Sequence, residues 1–86
     1  MDWVKVGEVT HYFSKAGVAV LSLIDDLAVG DRIGFVRNDE LLFEQEVASM
    51  QVEHKDIDVV AGGSEIGLKV EQIVKVGTEV HRLVEE

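Results

Sequence analysis

The sequence predicts an all-β protein, folded as a six-stranded closed Greek-key β-barrel. Its 86 residues include sixteen valines and no proline, and β-branched side chains fit a pleated sheet better than a helix interior. Apolar residues alternate with polar ones along much of the chain, which is the period of a half-buried strand. A glycine-led pattern also occurs three times before such runs. Short strands, tight turns and two shifts in the alternation together favour a sheet that closes on itself.

The repeated pattern is a glycine, a polar residue, a charged residue and a β-branched aliphatic residue. It occupies residues 30–33, 63–66 and 77–80. Glycine adopts positive φ without steric cost, so it suits the last turn residue before a strand, and the aliphatic residue then starts the buried face. The predicted structural turns are therefore Gly30 with Asp31, Gly63 and Gly77.

Length and composition indicate one domain, residues 1–86, because a chain of this size buries only about 60% of its unfolded surface. The formal net charge of -9 repels phosphate, so non-specific nucleic-acid binding is disfavoured. The chain has no cysteine, which excludes disulfides and thiol nucleophiles. The longest apolar run is far shorter than the roughly 20 residues of a membrane span, and the N-terminus lacks a signal-peptide pattern. We therefore expect a cytoplasmic protein without membrane contact.

The first two strands are predicted over residues 4–13 and 18–24, joined by a hairpin turn at residues 14–17. The alternation in the first strand changes face at Gly7, which predicts a bulge or sharp bend there. Both faces of the second strand are apolar, as in a central strand buried on both sides. A helix over residues 21–28 is the competing interpretation, since apolar residues there also fall at helical spacing.

The third strand contains Ile33 and Phe35 and ends at a turn around residues 38–39. A fourth and longest strand is predicted over residues 41–53, with its alternation shifted at residues 48–49, so that it passes from one side of the barrel to the other. Residues 54–63 are predicted as a loop that contains a turn of helix. Residues 66–70 and 80–84 supply the last two strands.

Five segments together resemble the second domain of translational GTPases such as elongation factor Tu, a β-barrel that follows the nucleotide-binding domain. They are residues 6–9 (VGEV), 29–33 (VGDRI), 47–55 (VASMQVEHK), 61–68 (AGGSEIGL) and 76–77 (VG). The resemblance implies a translation-factor barrel that contacts the aminoacyl end of a tRNA or a translation-associated protein. Carried over by position, it implicates His54, Lys55, Gly67, Leu68 and Lys69.

Two features depart from that family. Glu71 stands where elongation factor Tu has a basic residue, and the acidic composition is unfavourable for RNA. The chain contains neither a phosphate-binding loop nor a base-reading Asn-Lys-x-Asp motif, so no GTP is expected. A related barrel is the accessory C-terminal domain of some U32-type peptidases. That likeness implies the alternative function, a protein-interaction barrel acting with a separately encoded enzyme.

Catalytic and metal sites are weakly indicated. His11, His54 and His81 lack a local metal-binding spacing, and strand-edge histidines are the simpler interpretation. Ser14 or Ser49 with His54 and Asp56 lacks a nucleophile elbow. The pair Glu44 and Glu46 fits a solvated strand face, and Asp25-Asp26 fits a solvated turn. We therefore predict a non-catalytic binding module, not an enzyme, with no cofactor and no metal.

A local cationic spot is the remaining candidate for a binding surface. Lys15, Lys55 and Lys69 would form it if their loops met at one end of the barrel. Trp3, Tyr12 and Phe13 would then offer a stacking surface beside it. The alternative is that these lysines are ordinary solvated charges and the aromatic residues belong to the core or cover the barrel end.

Overall fold

The computed structural model describes residues 2–84, which fold entirely as strands, turns and irregular segments, without a helix. The strands are β1 (Asp2–Phe13), β2 (Val18–Leu23), β3 (Leu27–Ala28), β4 (Arg32–Arg37), β5 (Glu40–Glu46), β6 (Met50–Val52), β7 (Lys55–Ile57), β8 (Val59–Val60), β9 (Glu65–Lys69) and β10 (Glu79–Val84). The all-β prediction is confirmed. Over residues 2–84, the structure contains no helix of the length and apolar character needed to cross a membrane.

Eight strands form one antiparallel sheet in the order β5-β4-β10-β1-β2-β9-β6-β7, and β3 pairs with β8 separately. Within residues 2–84, no strand pairing joins β5 to β7 at the two ends of this order. The prediction of a closed six-stranded barrel is therefore wrong in closure and in strand number.

The segment after β3 explains why the sheet stays open. At one end, the Val47 N–H donates to the Asp31 carbonyl at 2.8 Å and the Gly30 N–H donates to the Val47 carbonyl at 2.9 Å. At the other end, the Val29 N–H donates to the Asp58 carbonyl at 2.8 Å. Residues 29–31 thus lie between the two ends, with two backbone hydrogen bonds to one end and one to the other, where a closed barrel would have a ladder.

The glycine-led turns are confirmed. Gly30, Gly63 and Gly77 have φ of +97°, +91° and +92°, a region that L side chains rarely adopt. A strand begins two residues after each glycine. The aliphatic residue of each pattern enters the core, and the three residues are Ile33, Ile66 and Val80.

Strand β1 has the predicted irregularity at Gly7, where its register against β10 shifts. A Cβ on Gly7 would lie 2.6 Å from the Ser22 carbonyl oxygen, so glycine permits the close approach of the two backbones. The hairpin turn at residues 14–17 is also confirmed, with β1 antiparallel to β2. The longest strand of the described residues is β1, whereas the longest strand was predicted over residues 41–53.

The chain between residues 41 and 63 differs most from expectation. The predicted long strand is divided into β5 and β6, because the buried Val47 turns away to bond the residue 30–31 turn. The two parts lie near opposite ends of the sheet order. The predicted loop at residues 54–63 contains β7 and β8, with no turn of helix.

The core lies on one face of the sheet. Strand β2 buries Ala19, Leu21 and Leu23, whereas its other face is half-buried or exposed. The prediction that β2 is buried on both faces is therefore wrong, although β2 is central in the sheet. The ring of the buried Phe35 stacks on that of the partly buried Phe43 at the edge of the core, with centroids 4.5 Å apart. Each fully buried large aliphatic or aromatic side chain contributes about 1.5–3 kcal/mol.

Candidate functional site

The outer face of β2, β9 and β6 carries an open groove of about 780 Å³. Its lining comes from the β1–β2 hairpin, these three strands, the β6–β7 turn and the start of β9. The lining residues are Phe13, Ala16, Val18, Val20, Gln51, Val52, Glu53, His54, Ser64, Glu65, Ile66 and Gly67. The volume lies within the range typical of ligand pockets in proteins.

Strand register places Gly67 at the centre of the groove floor. Gly67 pairs with Val20 on one side and with Gln51 on the other. An ideal Cβ on Gly67 would have Val18 Cγ1 at 3.5 Å and the Gln51 carbonyl oxygen at 3.9 Å as its nearest neighbours. Those are ordinary van der Waals distances, so a Cβ would fit at Gly67, and the groove that this residue lines lies beyond it.

The apolar side of the groove comes from β2 and the end of β1. Val18 and Val20 are half-buried, and Phe13 is 56% exposed. The Phe13 ring stacks on His11 with centroids 6.5 Å apart. An apolar floor with polar groups at its rim is the usual composition of a binding cleft.

The charges at the two ends of the groove differ in sign. At one end the exposed Glu65 pairs in register with Ser22, which pairs in turn with Glu8 of β1. The Glu53–His54 turn lies toward this end, because β6 runs antiparallel to β9. At the other end, Lys69 of β9 pairs in register with Val18. The groove lining is therefore acidic at the Glu65 end, and Lys69 lies just beyond the lining at the other end.

The Glu53–His54 turn has an unusual backbone. Val52 pairs with Lys55, so only two residues form the turn, and their φ values are +51° and +66°. Two-residue hairpins with positive φ favour Asn-Gly or Asp-Gly, and other residues in this region cost about 1–3 kcal/mol each. Both strained residues line the groove.

The structure brings some of the predicted contact residues together and leaves others apart. His54 and Gly67 line the groove, and Lys69 lies beyond the lining at the Val18 end. Lys15 is exposed in the 14–17 turn, whose Gly17 carbonyl accepts a 2.9 Å hydrogen bond from the Val70 N–H.

Lys55 begins β7, outside the groove lining, and the side chain of Leu68 is fully buried in the core. Among the residues that line the groove, none is a lysine or an arginine. Whether any of the predicted residues contacts a ligand stays a prediction.

The predicted aromatic surface is divided. Phe13 lines the groove, but the Trp3 ring lies beside Gly34 of β4, where an ideal Cβ would be 3.1 Å from the Trp3 ring. Tyr12 is half-buried against the core. The stacking surface of three rings is therefore not assembled on one face.

The candidate catalytic and metal residues make local contacts of other kinds. Glu44 Oε1 accepts a hydrogen bond from Arg32 Nε at 3.0 Å, and His81 Nε2 lies 3.0 Å from Glu79 Oε1. Among residues 2–84, no three histidine, aspartate or glutamate side chains are grouped to hold a metal ion.

Sequence reasoning missed the groove itself, although one signal for it was present. The apolar residues on both faces of β2 indicated burial, whereas Val18 and Val20 face the groove. An apolar second face on a strand whose first face already packs in the core is the signal of an unfilled binding surface.

No family model matches the chain. Over 82 residues it is 33% identical to an uncharacterized protease of Methanocaldococcus jannaschii, and the match covers 95% of this chain and 20% of the protease. The chain thus spans about a fifth of the length of that curated relative.

A solved structure extends the similarity to the fold. It is the C-terminal domain of a Geobacillus thermoleovorans protein described as a U32 peptidase, which has a TM-score of 0.84 at 18% identity and covers 94% of this chain and 93% of that chain. The fold is that of the U32 peptidase C-terminal domain. A selenomethionine variant of the same domain has a TM-score of 0.80 at 19% identity, covering 88% of this chain and 95% of that one.

These comparisons overturn the resemblance to the second domain of translational GTPases. The relative and the solved structures are peptidase chains, so the tRNA-contacting function that the resemblance implied loses its basis. The quoted motifs misled because glycine-led turns before valine-rich strands follow from local backbone preference, which unrelated antiparallel sheets share.

Proposed function

We propose that this chain is a non-catalytic accessory domain that binds a protein partner in association with a U32-type peptidase. One observation carries the proposal: 33% identity extends over 95% of this chain while covering only 20% of a protease. A part of that size leaves four fifths of the protease for catalysis. The shared fold of a U32 peptidase C-terminal domain supports the same function.

The contacts within the sheet support a non-catalytic role. Within residues 2–84, the histidine hydrogen bond that the structure shows joins His81 to Glu79, whereas activation of a serine nucleophile requires a histidine bonded to the serine. Glu44 is engaged by Arg32. The groove accordingly offers shape and charge for binding, without an activated group aimed into it.

Charge favours protein over RNA as the partner. The formal net charge is -9, and Glu53 and Glu65 are the charged carboxylates of the groove lining. A phosphate backbone would be repelled there. A polypeptide can place apolar side chains on Val18 and Val20 while its own charges pair at the ends. We include a cytoplasmic location in this proposal.

Affinity capture tests the proposed function. The tagged chain is expressed in its native cells, and co-purifying proteins and nucleic acids are identified and quantified. We expect a U32-type peptidase at near-stoichiometric yield, and no hydrolysis of a peptide library by the purified chain alone. Stoichiometric RNA, or hydrolysis that remains with the chain through repeated purification, would contradict the proposal.

A further inference from the structure

We propose that the groove over Gly67 binds an extended peptide that places an aliphatic side chain on Gly67 and a lysine or arginine at the Glu65 end. This names the chemistry of the segment that the accessory domain would hold, and its biological setting rests on the proposed function. Binding of the peptide itself depends only on the groove.

The floor of the groove fits one aliphatic side chain at its centre. Gly67 leaves an open position between Val20 and Gln51, its partners in the neighbouring strands. The nearest atom to an ideal Cβ there is Val18 Cγ1 at 3.5 Å. A side chain from outside can therefore contact the floor where the protein places none of its own.

The walls favour an extended backbone lying along β2. Val18 and Val20 alternate with the buried Ala19 and Leu21 along this strand, so successive outward positions repeat every second residue. A peptide in the extended conformation has the same repeat. Two of its alternate side chains can then meet both valines and Gly67.

Charge complementarity fixes which end of the groove takes a cation. Glu65 and Glu53 line the groove, and Glu8 is exposed two strands from Glu65, with Ser22 between them. Lys69 and the turn that carries Lys15 lie at the opposite end. A lysine or arginine is attracted to the first end and repelled from the second.

The strained turn is an independent feature of the same site. Glu53 and His54 keep positive φ although glycine or asparagine would adopt it with less strain. Unfavourable backbone conformations concentrate at binding sites, where the side chains they position are needed. Here the positioned side chains line the acidic end of the groove.

Fluorescence anisotropy with a defined probe tests the proposal. The probe is an acetylated, fluorescein-labelled Val-Leu-Val-Arg-Arg amide, and the comparison is its charge-reversed form Val-Leu-Val-Glu-Glu. We expect saturable binding of the first below about 1 mM, and at least about tenfold weaker binding of the second. Raising the salt to about 1 M, where the Debye length is about 3 Å, should weaken binding of the first peptide.

Three variants distinguish the groove from the remaining surface. Gly67→Leu fills the floor and should weaken binding at least about tenfold. The double variant Glu53→Gln with Glu65→Gln keeps the shape and should weaken it by a similar factor. Glu44→Gln makes the same chemical change outside the groove and should bind like the wild type. Thermal unfolding of each variant confirms that it is folded.

The outcomes separate this inference from the proposed function. Equal binding of both peptides, unchanged binding by Gly67→Leu, no saturation at about 1 mM, or preference for an oligouridine over the basic peptide would each overturn the inference. Capture of a U32-type peptidase would stand in all these cases. Conversely, peptide binding without that capture would support the groove and contradict the peptidase association.

Discussion

Two glycines in strands of the same sheet differ in what occupies the space beside them. Gly34 of β4 is covered: an ideal Cβ there would lie 2.7 Å from Leu41 Cδ1 and 3.1 Å from the Trp3 ring. Gly67 of β9 is open, with its nearest neighbour at 3.5 Å. The protein fills the first space with its own tryptophan and leucine and leaves the second unfilled.

This difference teaches which part of the outer surface is available for binding. Trp3 and Leu41 remain 37% and 44% exposed because they lie over the sheet as a cover. Val18 and Val20 are half-buried as the walls of an empty groove. A larger side chain at Gly34 should therefore lower the stability of the protein, whereas a larger side chain at Gly67 should weaken ligand binding.

Gly7→Ala should cause the largest loss of stability among these glycine substitutions. Its Cβ would meet the Ser22 carbonyl oxygen at 2.6 Å, and backbone atoms cannot move aside without disturbing the β1–β2 pairing. We expect a loss of about 2–3 kcal/mol in the free energy of unfolding. Urea denaturation at unchanged m-value measures it. A loss below about 1 kcal/mol would mean that β1 and β2 separate more easily than their register indicates.

Gly34→Ala should cost less, about 1–2 kcal/mol, because its closest neighbour is the flexible end of Leu41. Removing that neighbour should restore part of the loss. In a double-mutant cycle, Leu41→Ala and Gly34→Ala should therefore be coupled by more than about 0.5 kcal/mol. Strict additivity of the two losses would show that Leu41 does not restrict this position.

Relaxing the turn beside the groove should increase stability. Replacing Glu53 with asparagine and His54 with glycine supplies residues suited to positive φ, and we expect a gain of about 1 kcal/mol in the free energy of unfolding. Asp39→Gly provides the matched control in the other two-residue turn, where φ is +63°. Both variants should be stabilised, but only the first should lose affinity for the basic peptide. Equal loss of affinity in both would remove the turn from the site.

Gly67→Ala should have the smallest effect, within about 0.5 kcal/mol of the wild type in unfolding free energy. Its Cβ meets only ordinary contact distances, and its φ is not in the positive region. Chemical denaturation beside Gly34→Ala checks this directly. If Gly67→Ala is the more damaging of the two, the comparison of covered and open glycines fails.

The sequence predicted what depends on local backbone chemistry. Gly30, Gly63 and Gly77 could be assigned to turns because positive φ is a property of the residue itself. The break in alternation at residues 48–49 was also correctly placed. The structural consequence of this break was predicted wrongly, because whether a strand continues or turns away depends on distant partners. Here the partner is the Asp31 carbonyl, which accepts a hydrogen bond from the Val47 N–H.

The site was predictable only in fragments. Gly67 and His54 were named from a resemblance that is wrong, and they nevertheless line the groove. Val18 and Val20 were recognised as apolar and assigned to a buried face, because a sequence does not show whether a second layer covers a sheet. The prediction that the sheet closes was wrong for the same reason, because closure depends on residues 29–31, which lie between the two ends of the sheet.

A titration of the ¹⁵N-labelled chain with the basic peptide tests the central claim most directly, by ¹H–¹⁵N correlation spectra. The account predicts that the largest amide shifts fall on Val18, Val20, Gln51 and Gly67, with the amides of Trp3, Gly34 and Leu41 unmoved. Shifts concentrated around Trp3 and Leu41, or spread evenly over both outer faces, would contradict it.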